Sequence, residues 1–297
     1  MLRRYCVLLL AAVVSPLSIL SQTPLRVNVD LTNVSFSVTD RTGRFVSGLK
    51  QDDFTVEEDG VKQEINRFSR ENELPLTIGM LIDKSPSVGS VFGDERSTAI
   101  SFLDATLRSN DLAMVISFDR TVTLEEDFTS NKQALRRAIN GVTLGNGTSV
   151  YDAVFLACDE QLKKESGRKA VILISDGQDT TSKVRISEAL TAAERSEAVI
   201  YSISNRIGGF FNERGSGSPE TLKRFSLETG GTVYFVSGRS DLTEVFGQIS
   251  DELRSQYSLA YVSSNPARDG KFRRIRIVPK QDTYKVKARE GYYAPSS

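Results

Sequence analysis

The chain has 297 residues, enough for one large domain or two smaller ones. Lys plus Arg and Asp plus Glu balance at 38 each, so no overall field favours nucleic acid or an anionic membrane. Histidine is absent altogether, which removes the Ser-His-Asp and Cys-His nucleophile systems and the usual zinc sites. Carboxylates, lysine, tyrosine or an oxygen-ligated metal are the remaining routes to catalysis.

Residues 1–21 read as a secretory signal. Arg3 and Arg4 supply a positive start, and Tyr5 to Val14 an apolar core too short for a comfortable transmembrane helix. Ile19 and Ser21 suit the positions ahead of a cleavage site, with Gln22 as the first mature residue; an uncleaved anchor is the competing reading. The expectation is an exported protein, periplasmic or extracellular, with no transmembrane segment in the mature chain. Of the two cysteines, Cys6 leaves with that segment and Cys158 falls in a helical pattern beside Phe155 and Leu156, as a buried thiol.

Residues 25–70 read as β-structure. Val27, Val29 and Leu31 alternate with polar positions, as do Val34, Phe36 and Val38, and later Phe54 and Val56. Asp59-Gly60 joins this last strand to one holding Val61, Ile65 and Phe68, a hairpin signal.

From Pro75 the pattern changes. Leu76 to Ile82 is an almost continuous apolar run, as expected of a strand covered on both faces. Further strands fit Leu112–Phe118, Val122–Phe128, Ala170–Ser175, Ala198–Ile203 and Val233–Val236, and helices fit 95–107, 131–140, 149–163, the stretch holding Ile186, Leu190 and Ala193, 219–229 and 242–255. Apolar strands alternating with helices specify an α/β fold, a doubly wound and mostly parallel sheet with helices on both sides.

The end of the chain returns to β-pattern at Tyr257, Leu259 and Tyr261, then Phe272, Ile275 and Ile277, then Tyr284, Val286 and Ala288. Arg273, Arg274 and Arg276 read as one solvated strand face. A lone hairpin is marginal in water, so the N- and C-terminal strands are expected to meet in one small all-β domain. The expected division is 1–21 signal, 22–73 first part of the β-domain, 74–256 the inserted α/β domain and 257–297 the second part of the β-domain. Two separate β-appendages are the alternative.

At the end of the first buried strand stands Asp83-Lys84-Ser85-Pro86-Ser87. In an open parallel sheet, ligands bind beyond the carboxyl ends of the strands, where strand order reverses. The same crest receives Thr148, in Gly-Asn-Gly-Thr-Ser, and Asp176, in Ile-Ser-Asp-Gly. Two aspartates and three hydroxyls are hard oxygen donors suited to Mg2+, with Mn2+ or Ca2+ as alternatives. Two negative charges against two positive ones leave the metal electrophilic, with room for a partner's carboxylate.

These elements resemble the von Willebrand factor A domain family. Asp83, Ser85 and Ser87 match its D-x-S-x-S, Thr148 its isolated threonine, and Asp176 the aspartate of its S/T-D-G strand end. The resemblance implies that the five form a metal-ion-dependent adhesion site; Pro86 within the motif departs from the pattern by stiffening the loop, and removes no ligand. The flanks, Val38-Thr39-Asp40, Gly43, Gly48-Leu49, Asp53-Phe54, Glu58-Asp59-Gly60, Gln63 and Gly291-Tyr292-Tyr293, are similar to a VWFA-related family abundant in Acidobacteria.

Other residues carry two readings each. Phe210 and Phe211, in a glycine-rich loop, either rim the cation site and touch a partner or fold back onto the domain. Asp119 and Asp179 either orient ligands or waters at the site or are plain loop aspartates. Lys84 is a solvated lysine by default, or else attracts an acidic ligand. Glu125, Glu126 and Asp127 read as a solvated strand edge rather than a calcium patch. The expected function is an exported, metal-dependent, adhesion-type module that binds a protein ligand through an acidic residue, and not an enzyme. The alternative is a metal-independent envelope assembly or scaffold factor.

Overall fold

The computed structural model describes residues 31–70, 74–205 and 218–296. The signal reading, the strand positions Val27 and Val29, and Phe210-Phe211 lie outside the described residues.

The chain opens with β1 (Leu31–Thr39), β2 (Phe54–Glu58), β3 (Val61–Gln63) and β4 (Ile65–Arg70). The α/β unit follows: β5 (Leu76–Asp83), α1 (Phe92–Thr106), β6 (Leu112–Phe118), β7 (Val122–Thr129), α2 (Lys132–Gly141), α3 (Val150–Phe155) and β8 (Arg168–Ile174). It continues through α4 (Ile186–Ser196), β9 (Ala198–Asn205), α5 (Pro219–Thr229), β10 (Val233–Val236) and α6 (Arg239–Arg254). Four strands close the chain, β11 (Tyr257–Val262), β12 (Phe272–Pro279), β13 (Lys285–Ala288) and β14 (Gly291–Tyr293).

The α/β unit is a six-stranded sheet in the order β10-β9-β8-β5-β6-β7. All neighbours are parallel except the edge strand β7, which runs antiparallel to β6. Every residue of β5 is buried, as its unbroken apolar run requires of a strand covered on both faces. One face packs Ile78, Met80 and Ile82 against Phe102 of α1, Leu135 of α2 and Ile249 of α6. The other packs Leu81 and Leu173 against Val154 of α3, Ala193 of α4 and Phe225 of α5. Each such side chain contributes about 1.5–3 kcal/mol relative to an exposed one. The helix expected over 149–163 departs from α-geometry: α3 passes into a π-turn at Leu156–Gln161 and a 3-10 turn at Leu162–Lys164. The wider turn lets Ala157, Cys158 and Leu162 all reach the second core. Burial pushes the Cys158 thiol up to about 12, so it is inert.

The N- and C-terminal strands share two sheets, β13-β1-β11-β4 and β14-β12-β2-β3. Their inner faces close over one core, with Phe36 edge-on to Phe54 at 5.0 Å between ring centroids. The β2–β3 hairpin turns on Asp59 and Gly60, both left-handed at φ 48° and 81°, the backbone that a two-residue loop between twisted strands demands. One expectation fails on β12. Arg273 does not share a solvated face with Arg274 and Arg276; strand alternation turns it inward, where it is buried and donates to Ala267 O and Asp269 Oδ1, both at 3.1 Å.

Polar contacts bind the two units. Asn33 of β1 donates to Glu197 at 3.0 Å, and Lys287 of β13 donates to the buried Glu252 of α6 at 2.7 and 3.0 Å. Among the described residues, no helix is long and apolar enough to cross a membrane.

Candidate metal centre

The chain builds outward from β5 through β6 and β7, then returns to add β8, β9 and β10 on the other side. The crest above β5 and β8 is therefore where the connecting loops diverge and leave a crevice. Ile82 pairs with Ile174 across these parallel strands, so Asp83 leaves the sheet beside Ser175 and Asp176. The register alone brings the two aspartates of distant sequence to one spot.

Asp83 is fully buried and rigidly held. Its Oδ1 accepts from the Ser85 N–H at 2.8 Å, and its Oδ2 from the Ser175 hydroxyl at 2.6 Å. Burial raises its carboxyl to about 6; the nearby charge of Asp176 adds to this, and the hydrogen bonds from Ser175 and Ser85 partly offset it. Pro86 opens a 3-10 turn at Pro86–Val88 and leaves Ser85 extended, as a residue before proline prefers. Across it the Ser85 and Ser87 hydroxyls meet at 2.8 Å. Ser85 is buried and Ser87 exposed, so this pair marks the open mouth of the crest.

Asp176 accepts from the Gln178 N–H at 3.0 Å through one carboxylate oxygen. Thr148 is buried and held by its main chain: its N–H donates to Thr180 Oγ1 at 2.9 Å, and its carbonyl accepts from the N–H groups of Thr180 and Thr181 at 2.8 and 3.1 Å. The Thr148 hydroxyl takes no part in these bonds. The structure thus joins Asp83, Ser85 and Ser87 by direct bonds and Asp176 by strand register, and straps Thr148 to the loop that follows Asp176.

The aspartates with two readings divide the labour of tying loops. Asp119 accepts from the Thr121 N–H and hydroxyl at 3.0 and 2.9 Å and from the Asn146 N–H at 3.0 Å. These donors, with Lys84, hold its carboxyl below the usual range against the opposing effect of partial burial. Lys84 is accordingly no freely solvated lysine: its side chain is only 16% exposed and lies 3.9 Å from Asp119, while its carbonyl accepts from the Gly145 N–H at 2.7 Å. The loops pass so closely that a Cβ on Gly145 would come within 1.9 Å of Asp119 Oδ2. Asp179 accepts from the Ser182 hydroxyl and, at 3.3 Å, from the Tyr151 N–H at the start of α3. Asp152 returns the connection by accepting from the Lys183 and Val184 N–H groups, each at 2.9 Å. Glu125, on the solvated edge strand, accepts from Ser117 of β6.

Sequence reading missed Glu95. It lies on the buried side of α1, in the stripe Phe92, Glu95, Ala99, Phe102 and Thr106. It is only 1% exposed, and its Oε2 has no hydrogen-bond partner. Burial, with the charges of Asp83 and Asp176, raises its carboxyl to about 8. An acid inside an otherwise helical apolar stripe was the available signal.

The donor chemistry fits a hard divalent cation. Carboxylate and hydroxyl oxygens converge on the crest, the two aspartates repel each other, and the nearby lysine is engaged elsewhere. Among the described residues no three of His, Cys, Asp and Glu gather closely enough to hold a metal alone. The hydroxyls of Ser85, Ser87 and Thr148, with water, would have to complete the shell.

A family model for the von Willebrand factor type A domain matches residues 78–178, the span from β5 to the loop bearing Asp176. Over that span the α/β unit is similar to that family. Solved structures share the fold at low identity. The type A protein from Catenulispora acidiphila is 12% identical with a TM-score of 0.54, over 91% of this chain and 75% of that one. Proximal thread matrix protein 1 from the mussel byssus, with a zinc-occupied MIDAS motif, is 19% identical with a TM-score of 0.52, over 65% of this chain and 48% of that one. The PilB minor pilin from Streptococcus sanguinis, as its D319A mutant, is 10% identical with a TM-score of 0.50, over 62% of each chain. The match spans about half the length of the mussel proteins. No curated protein matches the sequence.

Proposed function

We propose that the crest of the type A domain binds a divalent cation, Mg2+ in the first place, through Asp83, Ser85, Ser87, Thr148 and Asp176, and through it a protein ligand outside the cytoplasm. One observation carries the reading: Asp83 and Asp176 are buried on adjacent strand ends, among the described residues no cationic side chain is bonded to either, and the Ser85 and Ser87 hydroxyls beside Asp83 are bonded to each other. Buried carboxylates without a counter-charge are costly unless a ligand offsets them. The mussel structure with zinc in the corresponding motif supports a metal reading. Ser87 at the open mouth leaves one side of the cation accessible, and a partner's carboxylate is the group that a half-neutralised divalent ion would accept there. The unit is a binding module, and its export rests on the amino-terminal pattern of Arg3, Arg4 and Tyr5 to Val14.

Calorimetric titration of the purified chain with Mn2+ and Mg2+ tests the first half. Asp83→Asn preserves the shape and is expected to weaken binding at least about 100-fold, equivalent to about 2.7 kcal/mol. Capture of envelope proteins tests the second half: partners must be lost both with chelator and with Asp83→Asn. Capture that survives both treatments would sink metal bridging and favour a metal-independent scaffold.

A further inference from the structure

We propose that Glu95 is the third carboxylate of the crest: it accepts a hydrogen bond from a water or hydroxyl of the bound cation's shell and sets the cation's affinity. The inference rests on the crest being a cation site. Three features of the molecule carry it. Glu95 is buried and its Oε2 has no partner, a state rare in folded proteins unless a water, ion or function accounts for it. The charges of Asp83 and Asp176 add to burial in raising its carboxyl, so it stands within electrostatic reach of the same two groups that the cation would face. It stands in the first full turns of a fifteen-residue helix packed on both neighbours, so the carboxylate is presented from a rigid element.

A leucine at 95 would continue the stripe of Phe92, Ala99 and Phe102 and avoid the cost of a buried acid. The other buried acids of this protein show what a purely structural carboxylate looks like here: Glu58 accepts from Tyr261 at 2.8 Å, Tyr292 at 3.0 Å and Ser263, and Glu252 is paired with Lys287. Glu95 has no such company. Among the described residues no three acids gather closely enough to hold a metal by themselves, which places Glu95 outside the ring of ligands. Glu95 is therefore a positioning residue that acts through the cation's water or a ligating hydroxyl, the role in which outer carboxylates change metal affinity by about 10–100-fold. It also alters the charge count. Once a bound cation draws off the Glu95 proton, the crest carries three charged acids rather than the two legible in the motif, so the cation is less electrophilic than the motif alone implies, and a partner's carboxylate adds less to its binding.

The test compares the full purified chain with Glu95→Gln and Glu95→Asp, using Mn2+ alone as probe, by calorimetry and by the manganese EPR signal of the bound ion. Glu95→Gln keeps size and removes charge; the expected result is a Kd raised about 10–100-fold with an unchanged circular dichroism spectrum. Glu95→Asp keeps the charge and is expected to recover part of the affinity. A role in packing alone predicts the reverse ranking, since Gln fills the space better than Asp. Wild-type affinity in Glu95→Gln overturns the proposal while leaving the cation site intact. Failure of the wild-type chain itself to bind Mn2+ overturns both, so the two failures are distinct.

Discussion

The β-sandwich with its seam and the crest of the α/β sheet both bury acids, and they treat them in opposite ways. Glu58 and Glu252 are 2% and 4% exposed, and each is surrounded by donors, Glu252 by a lysine at ion-pair distance. Asp83 and Glu95 are equally buried and share no cation; Glu95 Oε2 lacks even a donor. A matched acid fastens two pieces of chain, and its removal is felt as lost stability. An unmatched cluster lowers stability until a ligand supplies the missing charge. The same residue type is structural in one region and functional in the other because of what the fold places opposite it.

The largest effect is expected where matching is removed. Lys287→Met leaves Glu252 buried without its cation and should cost about 3–5 kcal/mol in urea unfolding. Mn2+ should not restore it; rescue by metal would break the contrast between the regions.

A smaller effect comes from pH at the crest. Burial holds the folded carboxyls of Glu95 and Asp83, at about 8 and about 6, above their ordinary values of 4.5 and 3.8. The unfolded chain therefore gives up these protons first, and stability present below about pH 4 is lost as pH rises toward 8. The metal-free chain should lose stability steadily over that window, and Glu95→Gln should flatten most of the slope above pH 6. Thermal unfolding of both chains in chelator checks this, and parallel slopes would remove Glu95 from the comparison.

The smallest effect concerns the loops that frame the crest. Gly145→Ala places a methyl on Asp119 Oδ2 and must push the Thr148 loop away from Lys84. About 1–3 kcal/mol of stability should be lost, with Mn2+ affinity falling about tenfold. An unchanged affinity would show that Thr148 tolerates displacement.

Much of the fold was legible from periodicity. Continuous apolar runs at Leu76–Ile82 and Leu112–Phe118 mark strands covered on both faces, and alternation at Val34, Phe36 and Val38 marks a strand with one buried face. The turn chemistry of Asp59-Gly60 was equally direct, because few residues accept its backbone. The motif residues Asp83, Ser85 and Ser87 could be read as a group because they are local. Arg273 was misassigned since a run of basic residues hides the alternation that turns every second one inward.

The sequence by itself determined the element types, the positions of the strand ends and the hard-oxygen character of the crest, since these follow from short-range spacing and donor chemistry. Only the tertiary structure decided that Asp83 stands beside Ser175, that Lys84 is spent on Asp119, and that Glu95 is buried within reach of the charges of the two aspartates with its Oε2 unpartnered. Those facts depend on strand register and helix packing, which bring together residues far apart in the chain, and burial then decides which of their charges still lack a counterpart.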